Sequence, residues 1–266
     1  MAKVMTKQSD LDRIFKKMER DYGAFNKKQQ AYAIREIGRV RGEVSDLLAD
    51  FSDSEGVIKR NRASRILREL DAVEESIREH GTVAMDKVIG DTSEWTSKRI
   101  NGKGGLGISG GTFDRVNENA IKYVIERYGD DGLVLSDRIW GLSGEIRDEI
   151  STVIRSGIIK GDGVSAMIPK IRKVYDNETW KIRRLARNES TTAYRAAINF
   201  NAKESDIVEW VQFHHGDKRT DACVSLANED RYGKGKGVFK PTDTDILMPH
   251  VNCTGYTTYI LDERWL

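Results

Sequence analysis

The sequence predicts an α+β fold: a predominantly helical N-terminal two thirds, then a small C-terminal α+β module containing a short antiparallel sheet. Three observations carry that expectation. Apolar residues recur at three- and four-residue steps over most of the chain, with no proline before Pro169. The period changes to alternation at Ile207–Phe213 and again at Tyr256–Leu261, two runs rich in β-branched and aromatic residues. Between these two runs lie both cysteines and three of the four histidines of the chain.

From the N-terminus, residues 1–90 read as a helical hairpin or bundle. Ile34, Ile37, Val40, Val44 and Leu47 form one apolar stripe over Lys27–Asp50. After a turn at FSDSEG, Ala63, Ile66, Leu70, Val73 and Ile77 form another. Both stripes are narrow, so the pair needs a third helix of this chain to complete its burial, or else serves as a docking arm for another protein. Residues 91–112 read as a Gly-rich linker because NGKGGLGISGG holds six glycines, whose ordering is entropically costly. Lys103 precedes the later glycines, which is not the order of a phosphate-binding loop.

Helical spacing resumes over residues 113–204. VNENAIKYVIERY is one segment. In the next, Ile139, Leu142, Ile146, Ile150, Val153 and Ile154 share a side, with Gly157 and IIKGDG as the stop. A short helix is expected over Val164–Tyr175, N-capped by Asp162 and weakened by Pro169, then a longer one over Glu178–Ala202. Residues 205–266 form the β-containing Cys/His module. Pairing of its two strands would draw the ends of the intervening loop together.

Composition narrows the function classes. Hydrophobic content of 38% in 266 residues is enough for at least one core. There is no run of about 18 to 20 apolar residues to span a bilayer, and MAKVMTKQSDLDRIFKK lacks the apolar stretch of a signal peptide, so neither a membrane partner nor export by that route is expected. Two cysteines make no disulfide framework. Net charge is only +2, so any nucleic-acid surface has to be local. The best local patch runs from Arg155 to Arg195, with ten Lys or Arg against four Asp or Glu, and Lys181, Arg183, Arg184 and Arg187 crowded together as a surface for DNA phosphates or an acidic partner.

Cys223, His250 and Cys253 are the candidate metal ligands. Two thiolates and an imidazole are a soft set suited to structural Zn²⁺, with Asp217, Asp221, His214 or His215 as the fourth ligand. The competing reading makes the cysteines small buried hydrophobes or a disulfide, and His250 an ordinary loop residue. A metal-dependent nuclease or hydrolase built on His214, His215, Asp217 and His250 is the enzymatic alternative. No Glu accompanies the histidines, and the cysteine pairs that brace metal-finger nucleases are missing, so no catalytic residue is assigned.

One ordered set of motifs goes further. Ala186-Arg187-Asn188-Glu189 on a helix, Trp210 in a strand, Asp217-Lys-Arg219-Thr220, Cys223-Val-Ser-Leu226 and Pro249-His250-Val-Asn252-Cys253 resemble the signature of the Mu F-like minor head proteins of tailed bacteriophages, over about Ile139 to Ile260. The chain departs from that pattern at Asp221, where the family often has a cysteine and one residue more before Cys223. It departs again at Val251, in place of a proline, and at Gly255, in place of the last cysteine. The resemblance implies a non-enzymatic minor capsid protein for head morphogenesis. It would sit inside the virion near the portal vertex, contact the portal protein and a scaffold or major capsid protein, touch packaged DNA nonspecifically, and pass through the host cytoplasm during assembly.

Overall fold

The computed structural model describes residues 8–103, 110–129, 131–217 and 220–262. In these the chain forms helices α1 (Gln8–Ile37), α2 (Val40–Phe51), α3 (Ala63–Lys103), α4 (Gly110–Glu126), α5 (Leu135–Lys160), α6 (Val164–Lys203) and α7 (Asp221–Asn228), and strands β1 (Val208–His214), β2 (Val238–Phe239) and β3 (Tyr256–Leu261). The fold is α+β and mostly helical, as the sequence predicts. Contacts divide it into two compact units that interleave in sequence. One comprises Met1–Gln29, Lys87–Gly132 and Ala186–Leu266, the other Gln30–Asp86 and Leu133–Leu185.

The second unit is a helical bundle. Val40, Val44 and Leu48 of α2, Ile66, Leu70, Val73 and Ile77 of α3, and Ile139, Ile146, Ile150 and Ile154 of α5 are all buried. The stripes read as an unfinished hairpin are therefore already covered within the chain. The buried position is Leu48 rather than Leu47, because the helix expected over Lys27–Asp50 breaks at residues 38–39 and its phase restarts at Val40. A Cβ on Gly38 would lie 2.8 Å from the Ile34 carbonyl, so the tight break needs glycine. At the other end of the bundle, Gly161 closes α5 in the left-handed conformation (φ 74°), and its neighbour's amide bonds back to Gly157.

Two further expectations change. The linker expected over 91–112 is helical over 91–103 and 110–112, with 104–109 outside the described residues. Ile100 and the small polar Thr92, Ser93, Thr96 and Ser97 give α3 a buried face that extends it past Asp91. The two helices expected after Asp162 are one, α6. Pro169 sits in its second turn, where a single backbone bond is lost, and no glycine or proline follows to stop it. Asp162 does not cap this helix through its side chain but pairs with Lys170 at 2.5 Å.

In the first unit, residues 186–202 of α6 are buried on nearly every side, with alanines at 186, 193, 196, 197 and 202 permitting close approach. The sheet has the order β2-β1-β3, with β1 antiparallel to both neighbours. Its β1–β3 register pairs Val211 with Tyr259 and Phe213 with Thr257, and shifts between Val208 and Trp210. Val211, Phe213, Thr257, Tyr259 and Leu261 are buried, and the Tyr259 hydroxyl donates to the Ile198 carbonyl at 2.6 Å, seating the sheet on α6.

A carboxylate is caught in this core. Burial pushes Glu19 of α1 up to about 7, against the opposing pull of Arg195 and a hydrogen bond from Tyr194, and its Oε2 is buried without a hydrogen-bond partner. Its folded value is raised above the ordinary 4.5, so the folded state holds the extra proton between those two values. Stability from this group should therefore be present below about pH 4.5 and fall as pH rises to about 7, by about 3 kcal/mol in all. Urea titrations of wild type and Glu19→Gln across this window test it. Parallel stability curves for the two proteins would refute the assignment.

Candidate metal centre

The candidate site forms where α7 starts and where the loop before β3 returns. Thr220 caps α7, its hydroxyl oxygen accepting from the Cys223 amide at 3.3 Å, and Cys223 is wholly buried one turn in. Residues 250–253 make a tight turn, with the Cys253 amide donating to the His250 carbonyl at 3.2 Å and Asn252 in the left-handed region at φ 60°. Asparagine is among the few side chains that tolerate this conformation. The Asn252 amide is anchored in turn by the Asn188 side-chain oxygen at 2.9 Å.

These elements bring three ligand atoms within 4.8 Å of one another: Cys223 Sγ, His250 Nε2 and Cys253 Sγ. The sulfurs are 3.2 Å apart, well beyond a disulfide bond, and both thiols are free. His250 Nδ1 lies 2.9 Å from the Val251 carbonyl, so Nδ1 carries the proton and Nε2 turns its lone pair to Cys223 at 2.8 Å. Tetrahedral zinc with these donors requires S···S of about 3.8 Å and S···N of about 3.5 Å, so an ion needs the donor separations to change by roughly 1 Å. The group could hold a metal, and its soft S₂N donor set fits zinc. Burial, then the neighbouring Cys253, pushes the Cys223 thiol up to about 11, so a metal would have to displace its proton.

Arg195 is the residue beneath the site that sequence reasoning missed. It is fully buried on α6 and donates through Nε to the Gly255 carbonyl at 3.1 Å, through Nη1 to the Leu247 carbonyl at 3.0 Å, and through Nη2 to Cys253 at both its carbonyl (3.3 Å) and its Sγ (3.2 Å). The Gly255 amide adds a second donor to Cys253 Sγ at 3.4 Å. A signal existed in the letters: Arg195 is the only charged residue between Glu189 and Lys203, in a run otherwise made of uncharged residues.

None of the four residues proposed as fourth ligand joins the group. His214 Nε2 faces the Thr258 hydroxyl at 2.9 Å and its ring stacks on Tyr256, because β1 carries it across from β3 rather than toward α7. His215 Nδ1 lies beside the Gly216 carbonyl, and Asp217 and Asp221 are exposed. Nor do His214, His215, Asp217 and His250 come together as a hydrolytic set; among the described residues, the only such group is the Cys₂His one.

The remaining motif residues have structural partners. Glu189 is buried and paired with Arg127 at 2.9 Å, and Ala186 is fully buried. Trp210 tilts against Tyr232, Leu226, Pro249 and Asn252 are partly buried, and Arg219 lies outside the described residues. On the basic patch, Arg183 and Arg184 are exposed and Arg187 is partly buried, but Lys181 is spent on Glu145 and Glu178. The patch also carries an aromatic, Trp180, 53% exposed under the Arg184 guanidinium.

Gly255, which stands where the resembled pattern has its last cysteine, is required by packing. A Cβ there would lie 2.5 Å from Phe213 Cζ and 2.8 Å from the His214 carbonyl. Gly255→Cys should therefore cost about 2 to 3 kcal/mol in urea denaturation rather than complete the ligand set. A variant as stable as wild type would show that the chain relaxes there.

No protein-family model matches the chain, and neither does any curated protein or solved structure. Among the described residues, no helix is long and apolar enough to cross a membrane.

Proposed function

We propose that this chain is a minor capsid protein of a tailed bacteriophage, acting in head morphogenesis at the portal vertex, with a C-terminal module closed by a structural zinc clasp. One observation carries the reading. Motif residues dispersed from Asn188 to Cys253 converge on a single structural element, in which Asn188 anchors Asn252, Thr220 caps α7, and Cys223, His250 and Cys253 meet. Asn188 and Thr220 hold backbone amides, Asn188 tying the turn before β3 to α6 and Thr220 fixing the start of α7, while the Cys and His side chains meet one another between those two points. Zinc bound there would crosslink the start of α7 to the turn before β3, supplying binding energy as folding energy. Assembly, with the portal and with scaffold or major capsid protein, is the activity of such a module.

The test is co-expression of the tagged full chain with portal and scaffold proteins of a tailed phage whose head genes adjoin its own. The expected result is a stable complex with portal on size exclusion, with no DNA cleavage by the chain in Mg²⁺, Mn²⁺ or Zn²⁺. Failure to bind any head component, or metal-dependent cleavage abolished by His250→Ala, would overturn the proposal.

A further inference from the structure

The geometry points to an open coordination position on the Cys₂His group: we infer that a metal ion held by Cys223, His250 and Cys253 takes its fourth ligand from outside the chain, a solvent oxygen that exchanges for a thiolate. This rests on the reading of the group as a zinc clasp.

Zinc with cysteine and histidine ligands is four-coordinate, and closed structural sites draw all four ligands from the protein. Here the described residues supply three. The four nearby sequence candidates are turned elsewhere or exposed, as His214 is by Thr258 and Tyr256. On the inner side, the atoms packed against Cys253 Sγ are the Arg195 guanidinium and the Gly255 amide. Both are hydrogen-bond donors without a lone pair to give, so that side braces a sulfur and cannot complete the coordination. The outer side differs. His250 is the one ligand that reaches the surface, and its chain neighbour Val251 is 41% exposed, as is Val224, next to Cys223, at 36%. The partly exposed His250 is therefore the side on which the proposal places the outside ligand.

The inner brace also matters for the class of ligand. With two thiolates bound, the dication's charge is formally balanced, and an added thiolate makes the centre anionic. Arg195 lies in hydrogen-bond contact with one of those sulfurs in a buried setting, where its charge is little screened, and it favours that extra negative charge. A soft metal centre with an adjacent fixed cation selects a thiolate over water or a carboxylate. Binding a cysteine thiolate of another chain would use this same position.

Cobalt(II) titrated alone into the metal-free full chain, in thiol-free anaerobic buffer, tests the inference. The expected result is one equivalent bound, with a thiolate-to-cobalt charge-transfer band and visible bands of four-coordinate cobalt. Adding 2-mercaptoethanol should then shift the visible bands and raise the charge-transfer intensity by about half, as two sulfurs become three. Cys223→Ser should lower the initial charge-transfer intensity. If the bands form but thiol leaves them unmoved, the chain fills its own fourth position and this inference fails while the clasp stands. Thiol that strips the cobalt also counts against it. If no charge-transfer band forms at all, the metal reading itself fails and takes the inference with it.

Discussion

Arg195→Met should destabilise the protein by about 3 to 5 kcal/mol, the largest effect expected of a single substitution here. The side chain is wholly buried and satisfies carbonyls of Leu247, Cys253 and Gly255, three points on a loop with little regular structure of its own. Methionine matches much of the volume and removes every donor. Each carbonyl then stays buried without a partner, at about 1 to 3 kcal/mol apiece, less whatever the loop recovers by opening to water. For a chain of this size the change corresponds to a fall in Tm of about 8 to 15 °C. Arg195→Lys should also lose much of the stability, because a single ammonium cannot span three carbonyls as the planar guanidinium does. Urea denaturation measures both, and a midpoint for Arg195→Met within about 1 kcal/mol of wild type would show that the loop is held by packing instead.

Zinc should have the second largest effect. Ligand that binds only the folded state stabilises it by about 4 kcal/mol at a thousandfold excess over Kd. Thermal unfolding of the chelator-treated protein should thus move upward on adding Zn²⁺ and return on adding chelator. Cys223→Ser and Cys253→Ser each alter a buried position and will shift the midpoint by themselves, so the informative quantity is the difference with and without zinc. That difference should vanish in both variants and in His250→Ala. An unchanged zinc response in any of the three would remove that residue from the ligand set.

The secondary structure was largely legible because periodicity is a local property of the letters. Ile139, Ile146, Ile150 and Ile154 spell one buried face of α5, and the alternation in Val208–His214 and Tyr256–Leu261 spells two strands that pair. The errors lay where a local rule has a tertiary exception. Six glycines suggested a linker, yet burial of Thr92, Ser93, Thr96 and Ser97 carries the helix to Lys103. Pro169 suggested a short helix, yet near an N-terminus it removes only one bond.

The candidate site was legible in kind and not in number. Cysteine and histidine are scarce in this chain, so their spacing alone nominated Cys223, His250 and Cys253, the residues that meet. The failed nominations were the acidic and histidine residues close in sequence, since nearness along a strand end says nothing of the side a residue faces. His214 and His215 follow one another yet neither faces the sulfurs.

The sequence by itself determined the α+β class, most of the helices, the two longer strands and the three residues that could hold a metal, all of which follow from residue chemistry and short-range spacing. Only the tertiary structure decided that the N-terminal stripes are covered within the chain, that Arg195 lies beneath the clasp and that the described ligand set stops at three. Each of these depends on which distant segments are brought together and in what orientation, and a long-range contact leaves no period in the letters.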